Sequence, residues 1–314
     1  MGESQNRPIQ APPELVGPDY NLYRYRHDFY KVVHFKSTVR HGHTASRTKE
    51  DGFLHTDKLP QALARARKVC LELALCNEWK WFCTFTIASS NFDRKNLDGF
   101  YSRFSEWLKY QKKKSGKKIP YLLVPEQHGD GSWHMHGFFN SDIDGFLKSF
   151  REMDAEGYRS PNGKRIKPEL IANDYFNWPD YQKKFGFCSL GEIRNHDATA
   201  FYATKYISKS FQGDAQRVGL KLYYCSQGLN RSEHFDSVYG PCPWLDKHCQ
   251  NEYEWCSTGF VKFDREPGDD PLLDILEMQH TSLFPMAPAP LEEKDFPDVV
   301  DYYEITQEVI DGWN

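Results

Sequence analysis

The sequence predicts an α+β fold, a central antiparallel sheet with flanking helices. Three observations lead there. Apolar, β-rich runs of six to eight residues recur along the chain. Segments with helical spacing of apolar residues separate most of them. One pair of runs is instead joined by the turn-forming stretch QHGDG, which makes a hairpin and argues against a wholly parallel sheet. With 314 residues, 39% of them hydrophobic and 15% aromatic, the chain can bury the core of one large domain or two modest ones.

In chain order, residues 1–20 are rich in proline and polar residues and are expected to be loose. Asn21 to Gly52 is basic and aromatic, with a short strand at Tyr30 to Phe35. Leu63, Ala64, Val69, Cys70, Leu73 and Leu75 recur at near-helical spacing and predict a helix over Leu59 to Cys76. Lys80 to Ile87 (KWFCTFTI) reads as a strand. Asp93 to Lys113 sets Leu97, Phe100, Tyr101, Phe104 and Leu108 on one helical face, ending in a basic loop at Ser115 and Gly116. Ile119 to Glu126 and Ser132 to Phe139 form the hairpin. A short helix is expected over Ile143 to Met153, then a mixed insert over 154–185. Phe187 to Ile193 is a strand, Asp197 to Ser210 a helix and Lys221 to Ser226 a further strand. Beyond about Phe263 the chain is acidic and proline-rich, the composition of a largely disordered tail. The expected organisation is an N-terminal extension, partly flexible (1–52), a main domain (53–231) and an acidic C-terminal region, partly disordered (232–314).

The net charge of −4 conceals a split. Ser232 to Asn314 holds 19 acids and 4 bases, a net of −15, which leaves 36 bases and 25 acids, a net of +11, in residues 1–231. That is the pattern of a basic working region with an acidic tail, for which solubility is the default role. The short apolar runs exclude a membrane span. The N-terminus has no apolar signal core, and Asn6 stands where myristoylation wants Ser or Thr. Eight scattered cysteines suit a reducing interior, so a cytoplasmic location is expected. Cys242, Cys249 and Cys256 recur every seven residues beside His248. They lack paired C-x-x-C spacing and read as packed cysteines.

Three constellations carry chemistry. In PEQHGDGSWHMHGFF, His134 and His136 alternate along a strand and face one way. Glu126 sits on the partner strand, and His128 offers an imidazole in its place. Two imidazoles and a carboxylate leave coordination positions open, as a catalytic metal requires. Short His-x-His pairs arise by chance, and His41-Gly42-His43 in a polar stretch is read as a loop. In DATAFYATKYISKS, Tyr202 and Tyr206 share a helical face with Lys209, and Lys205 borders it. A tyrosine beside cations can serve as a nucleophile; a plain amphipathic helix has the same pattern. Lys112, Lys113 and Lys114 belong to a run of six lysines between Lys109 and Lys118, which suits phosphate contacts or a solvated helix end. Arg231, closing SQGLNR, fits a phosphate contact or a plain turn.

Taken together, the threonine-bearing strand FCTFTI, Glu126 with His134-Met135-His136, and Tyr202-Ala203-Thr204-Lys205-Tyr206 resemble the ordered motifs of rolling-circle replication initiators. These belong to the His-hydrophobe-His (HUH) endonuclease superfamily, and the spacing is similar to the two-tyrosine phage and plasmid branch. The resemblance spans about residues 79–226. It implies a five-stranded antiparallel sheet and metal-dependent nicking and rejoining of single-stranded origin DNA. It also implies a divalent Mg²⁺ or Mn²⁺ on His134, His136 and Glu126, and attack by Tyr202 to leave a 5′-phosphotyrosine. Tyr206 would be the second nucleophile, with Lys205 and Lys209 beside the tyrosines. Without a GxxxxGK[ST] loop, such a protein relies on a host helicase and polymerase in a bacterial cell. A transposase or relaxase of the same superfamily is the near alternative. A non-catalytic single-strand binder, with stacking aromatics and neutralising bases, is the distant one.

Overall fold

A computed structural model of the chain describes residues 17–36, 58–89, 92–159, 164–209, 221–253 and 256–263. The strands are β1 (Tyr20–Arg26), β2 (Phe29–Phe35), β3 (Trp81–Thr86), β4 (Tyr121–Gln127), β5 (Trp133–Phe139), β6 (Lys148–Ser149), β7 (Phe176–Asn177), β8 (Cys188–Glu192), β9 (Tyr224–Cys225), β10 (Glu233–Val238), β11 (Asn251–Glu252) and β12 (Cys256–Lys262). The helices are α1 (Lys58–Leu75), α2 (Leu97–Ser115), α3 (Phe150–Ala155), α4 (Pro168–Ala172), α5 (Pro179–Lys184), α6 (His196–Lys209) and α7 (Pro243–His248). They fall into two compact units, one within residues 58–231 and one joining 17–36 to 232–263.

The first unit is built on an antiparallel sheet of order β6-β7-β8-β3-β5-β4-β9. The five strands expected from the sequence are β3, β4, β5, β8 and β9; β6 and β7, two residues each, extend the sheet beyond β8. Alternation sorts the side chains. Trp81, Cys83 and Phe85 of β3 share a core with Met135, Phe139, Leu123, Cys188 and Leu190, sealed by Phe100, Phe104, Trp107 and Leu108 of α2. Asn96 caps α2 by accepting from the Gly99 N–H at 2.8 Å. Gly116, in the left-handed conformation, ends it. The other sheet face carries Phe82, Thr84 and Thr86. There α6 packs on β4 and β5, and α1 packs on α6, with Ala200, Ala203 and Ile207 buried.

Gly137 lets the central strands close. Its φ is 153°, and a Cβ there would lie 1.9 Å from the Leu122 carbonyl oxygen.

Two expectations are corrected. Ile143 to Met153 is not one helix but a 3₁₀ turn (Ser141–Phe146), then β6, then α3. The reason is capping: Asn140 caps the first turn, and Ser149 with Glu152 forms a capping box that opens a new helix. The strand over Lys221 to Ser226 shrinks to Tyr224–Cys225, which pairs with Leu123 and Leu122.

The second unit is an antiparallel sheet of order β10-β1-β2-β12-β11. Tyr20, Leu22, Tyr30, Val32, Val238 and Val261 pack with Trp244 and Leu245 of α7. The Tyr20 hydroxyl donates to Asp246 at 2.8 Å. The two segments flanking the main domain, expected as separate regions, thus contribute strands to one sheet. Cys242 and Cys249, at the two ends of α7, are buried thiols in its core, and Cys256 opens β12. His41, His43 and the acidic stretch after Phe263 lie outside the described residues.

Candidate active site

Register brings the first two motifs together. Glu126 of β4 pairs with His134 of β5, which pairs with Thr86 of β3. One step along, Val124, His136 and Thr84 are in line. Paired residues share a face, so Glu126, both histidines and both threonines stand on the face opposite α2. Glu126 and His136 are buried, and Glu126 Oε2 lies 2.8 Å from His136 Nε2. The Thr84 hydroxyl meets His136 Nδ1 at 3.1 Å. A hydroxyl can donate or accept, so Thr84 can orient this ring whichever nitrogen carries the proton. The His128 and His134 rings lie against each other, centroids 4.1 Å apart. Burial, with His128 and His136 alongside, pushes His134 down to about 4. That ring is neutral at pH 7, the form that ligates metal.

Glu126 Oε2 and His136 Nε2 are two adjacent donors of the kind a divalent ion takes. Two cis ligands of an octahedral Mg²⁺ at about 2.0–2.1 Å stand about 3 Å apart, close to the 2.8 Å between His136 Nε2 and Glu126 Oε2. A metal between them would take the place of this hydrogen bond. His134 is one register away, with His128 as a further donor. Among the described residues, no three His, Cys, Asp or Glu side chains already converge as a metal set, so the third donor would have to close in.

The third motif reaches the same face. The Tyr202 ring of α6 meets the Phe82 ring edge-on at 5.9 Å. Phe82 pairs with Phe138, two positions along β5 from His136. Lys205 is exposed, its ammonium 5.6 Å from the centre of the Tyr202 ring. Tyr206 and Lys209 lie on the same helix, and their side chains fall outside the described residues. Asn195 opens α6 by accepting from the Ala198 N–H at 3.0 Å.

The lysine run is elsewhere. Lys112, Lys113 and Lys114 are in the last turn of α2, which packs on the opposite sheet face. The loop after them leads to Tyr121, five positions before Glu126, or roughly 17 Å along the strand. Lys114 also pairs with Asp180 at 3.5 Å. Arg231 is engaged with Glu72, donating to both carboxylate oxygens at 3.0 and 2.8 Å. Glu72 is buried, so this guanidinium anchors the chain to α1. Arg231→Ala is expected to destabilise the protein by about 1–3 kcal/mol, because it removes two charge-assisted hydrogen bonds from a buried carboxylate. A thermal melt checks this, and the salt slope of DNA binding should not move.

Sequence reasoning missed Arg94. Its guanidinium donates to Ser132 at 3.0 Å and lies 3.9 Å from Asp130. The Trp133 N–H donates to the Arg94 carbonyl, which ties this loop to the start of β5. Arg94 thus stands beside His134 and helps depress its pKa. Its only sequence signal is an arginine in the loop after a motif-bearing strand.

Residues 80–211 match the family model described as replication-associated protein ORF2/G2P. That stretch runs from β3 to α6 and holds all three motifs on the site face. The match supports a replication-associated role. No curated protein and no solved structure matches the chain. No helix among the described residues is long and apolar enough to cross a membrane.

Proposed function

We propose that the protein is a rolling-circle replication initiator that nicks and rejoins single-stranded origin DNA. The observation that supports this best is the common face of the three motifs: Tyr202 rests on Phe82, in the same sheet surface as His136 and Glu126. The Tyr202 phenol gives its proton to solvent as it attacks phosphorus, the bond to the 3′ oxygen breaks, and that oxygen takes up a proton from solvent. The 5′ phosphate stays on the tyrosine, so the bond energy is kept for the reverse transfer that rejoins the strand. Tyr206, one helical turn on, serves the second transfer. Lys205 and Arg94 hold phosphate charge. His134, His136 and Glu126, or His128 in place of the glutamate, would hold Mg²⁺ or Mn²⁺, which when bound would supply Lewis-acid stabilisation of the scissile phosphate. Host helicase and polymerase do the unwinding and copying.

His134→Ala is expected to lower nicking by at least about 100-fold, the scale of losing a metal ligand or its shell, while single-strand binding stays within about twofold. Equal loss of both would assign the histidine to folding instead. Thr84→Val is expected to weaken Mn²⁺ binding about 10- to 100-fold, because His136 loses its outer partner, and Thr84→Ser should restore it. Titration calorimetry reads this directly, and unchanged affinity in Thr84→Val would remove Thr84 from the site.

A further inference from the structure

Among the described residues, the helices cover only part of the site face. On that face α6 packs on β4 and β5, Tyr202 of α6 reaches Phe82 of β3, and Phe150 of α3 stacks on Phe187 with ring centroids 5.8 Å apart, while Thr84, Thr86 and Ser189 between them stay half-buried. Cys188 and Leu190 of β8 point into the core. Phe187, Ser189 and Gly191 therefore point the other way, toward the site face. Phe187 is 43% exposed, rare for phenylalanine on a sheet. The Thr86 N–H donates to the Phe187 carbonyl at 2.8 Å. Phe187, Thr86, His134 and Glu126 thus form one row across the sheet. The next rows are Ser189, Thr84, His136, and then Gly191, Phe82, Phe138.

A second ring stands at the far end of this shelf. Tyr175 packs on Gly191, where a Cβ would lie 2.9 Å from its ring, so only glycine admits the tyrosine at this distance. Asp174, before it, has a φ of 54° and is held by Arg151 at 2.6 Å. Among the described residues it is the only non-glycine with positive φ, a conformation that costs energy and is kept where neighbours impose it. The Tyr175 phenol is close enough to Tyr202 and Arg194 to couple with both electrostatically, and Arg194 is exposed. Phe187 and the Gly191 position are four residues apart, about 13 Å.

We propose that the β3–β8 shelf is a subsite for single-stranded DNA, in which one nucleobase stacks on Phe187 and a second on Tyr175, with Arg194 on the phosphate beside the second base. This rests on the nicking reading, because the shelf leads directly to the histidine row and to Tyr202. An exposed phenylalanine and a half-buried tyrosine spaced along the sheet, with a cation beside the tyrosine, suit a flexible strand, since every base has a face to stack. A duplex has no unstacked base to offer.

The test is fluorescence anisotropy of the full chain with a labelled thymine oligonucleotide, in EDTA so that nothing is cleaved. A second series uses the same oligonucleotide with single abasic positions. Phe187→Ala is expected to weaken binding about 5- to 100-fold, the range of one base–aromatic stack. Phe187→Leu, which keeps an apolar contact with the stacked Phe150 ring, should weaken it similarly, and Phe187→Trp should restore it. One abasic position should cost the unaltered protein affinity and cost Phe187→Ala none. Binding that Phe187→Ala and Phe187→Leu leave unchanged overturns the subsite. If adduct formation persists in those variants, the nicking reading survives. A change in sedimentation of Phe187→Ala with unchanged DNA binding would assign the ring to a protein contact and overturn the proposal. No binding of the oligonucleotide by the unaltered chain would overturn both readings.

Discussion

Tyr202→Phe is expected to lower covalent capture of single-stranded DNA by at least about a thousandfold, as removal of a catalytic nucleophile does. Binding should stay within about twofold. The reason is local. The ring of Tyr202 is placed by Phe82, and phenylalanine keeps that edge contact while losing the oxygen. Folding and the Lys205 contact with the ring face are therefore preserved. Tyr206 stands one turn along the same helix, and a residual adduct in the single variant would belong to it. The double variant Tyr202→Phe/Tyr206→Phe separates the two, and its adduct should vanish on a denaturing gel. An adduct of undiminished yield in the double variant would show that the nucleophile lies elsewhere.

Gly137→Ala is expected to cost about 4 kcal/mol or more, beyond the usual range for one added methyl group. The new Cβ would meet the Leu122 carbonyl oxygen at 1.9 Å and Leu123 Cα at 2.9 Å. Both are backbone of β4, which cannot retreat without breaking its ladder with β5. That ladder also sets Glu126 beside His136. For a unit of this size such a loss lowers the melting temperature by about 10 °C or more. Metal binding should fall with it as the strands part. A thermal melt within about 2 °C of the unaltered protein would contradict the packing described at Gly137.

Local rules make the hairpin and the tyrosine-bearing helix α6 legible in the sequence. QHGDG between two apolar runs gives β4 and β5, alternation puts His134 and His136 on one face, and four-residue spacing sets Tyr202 and Tyr206 one turn apart along α6. The helix expected over Ile143 to Met153 had the right apolar spacing. The Ser149-x-x-Glu152 capping box, also readable, outweighs it. Long-range pairing was not legible. β1 pairs with β10 across more than 200 residues, Tyr20 opposite Val238, and nothing local in YNLYRYR announces a partner so distant. Arg94 and Phe187 were missed for the same reason. Each matters because of what register sets across from it, Ser132 for one and Thr86 for the other. The lysine run is legible as composition, and its place at the end of α2, the helix on the far sheet face, is not.

The most direct test of the nicking reading is the chemical identity of the protein–DNA bond. The full chain is incubated with a random-sequence single-stranded DNA pool and Mn²⁺, the product is digested, and the adducted peptide is sequenced by mass spectrometry. The expected result is a nucleotide joined through its 5′ phosphate to Tyr202 or Tyr206, formed with Mn²⁺ and absent in EDTA. A bond to any other residue, a 3′ linkage, or no adduct under conditions where the chain binds the DNA would contradict it.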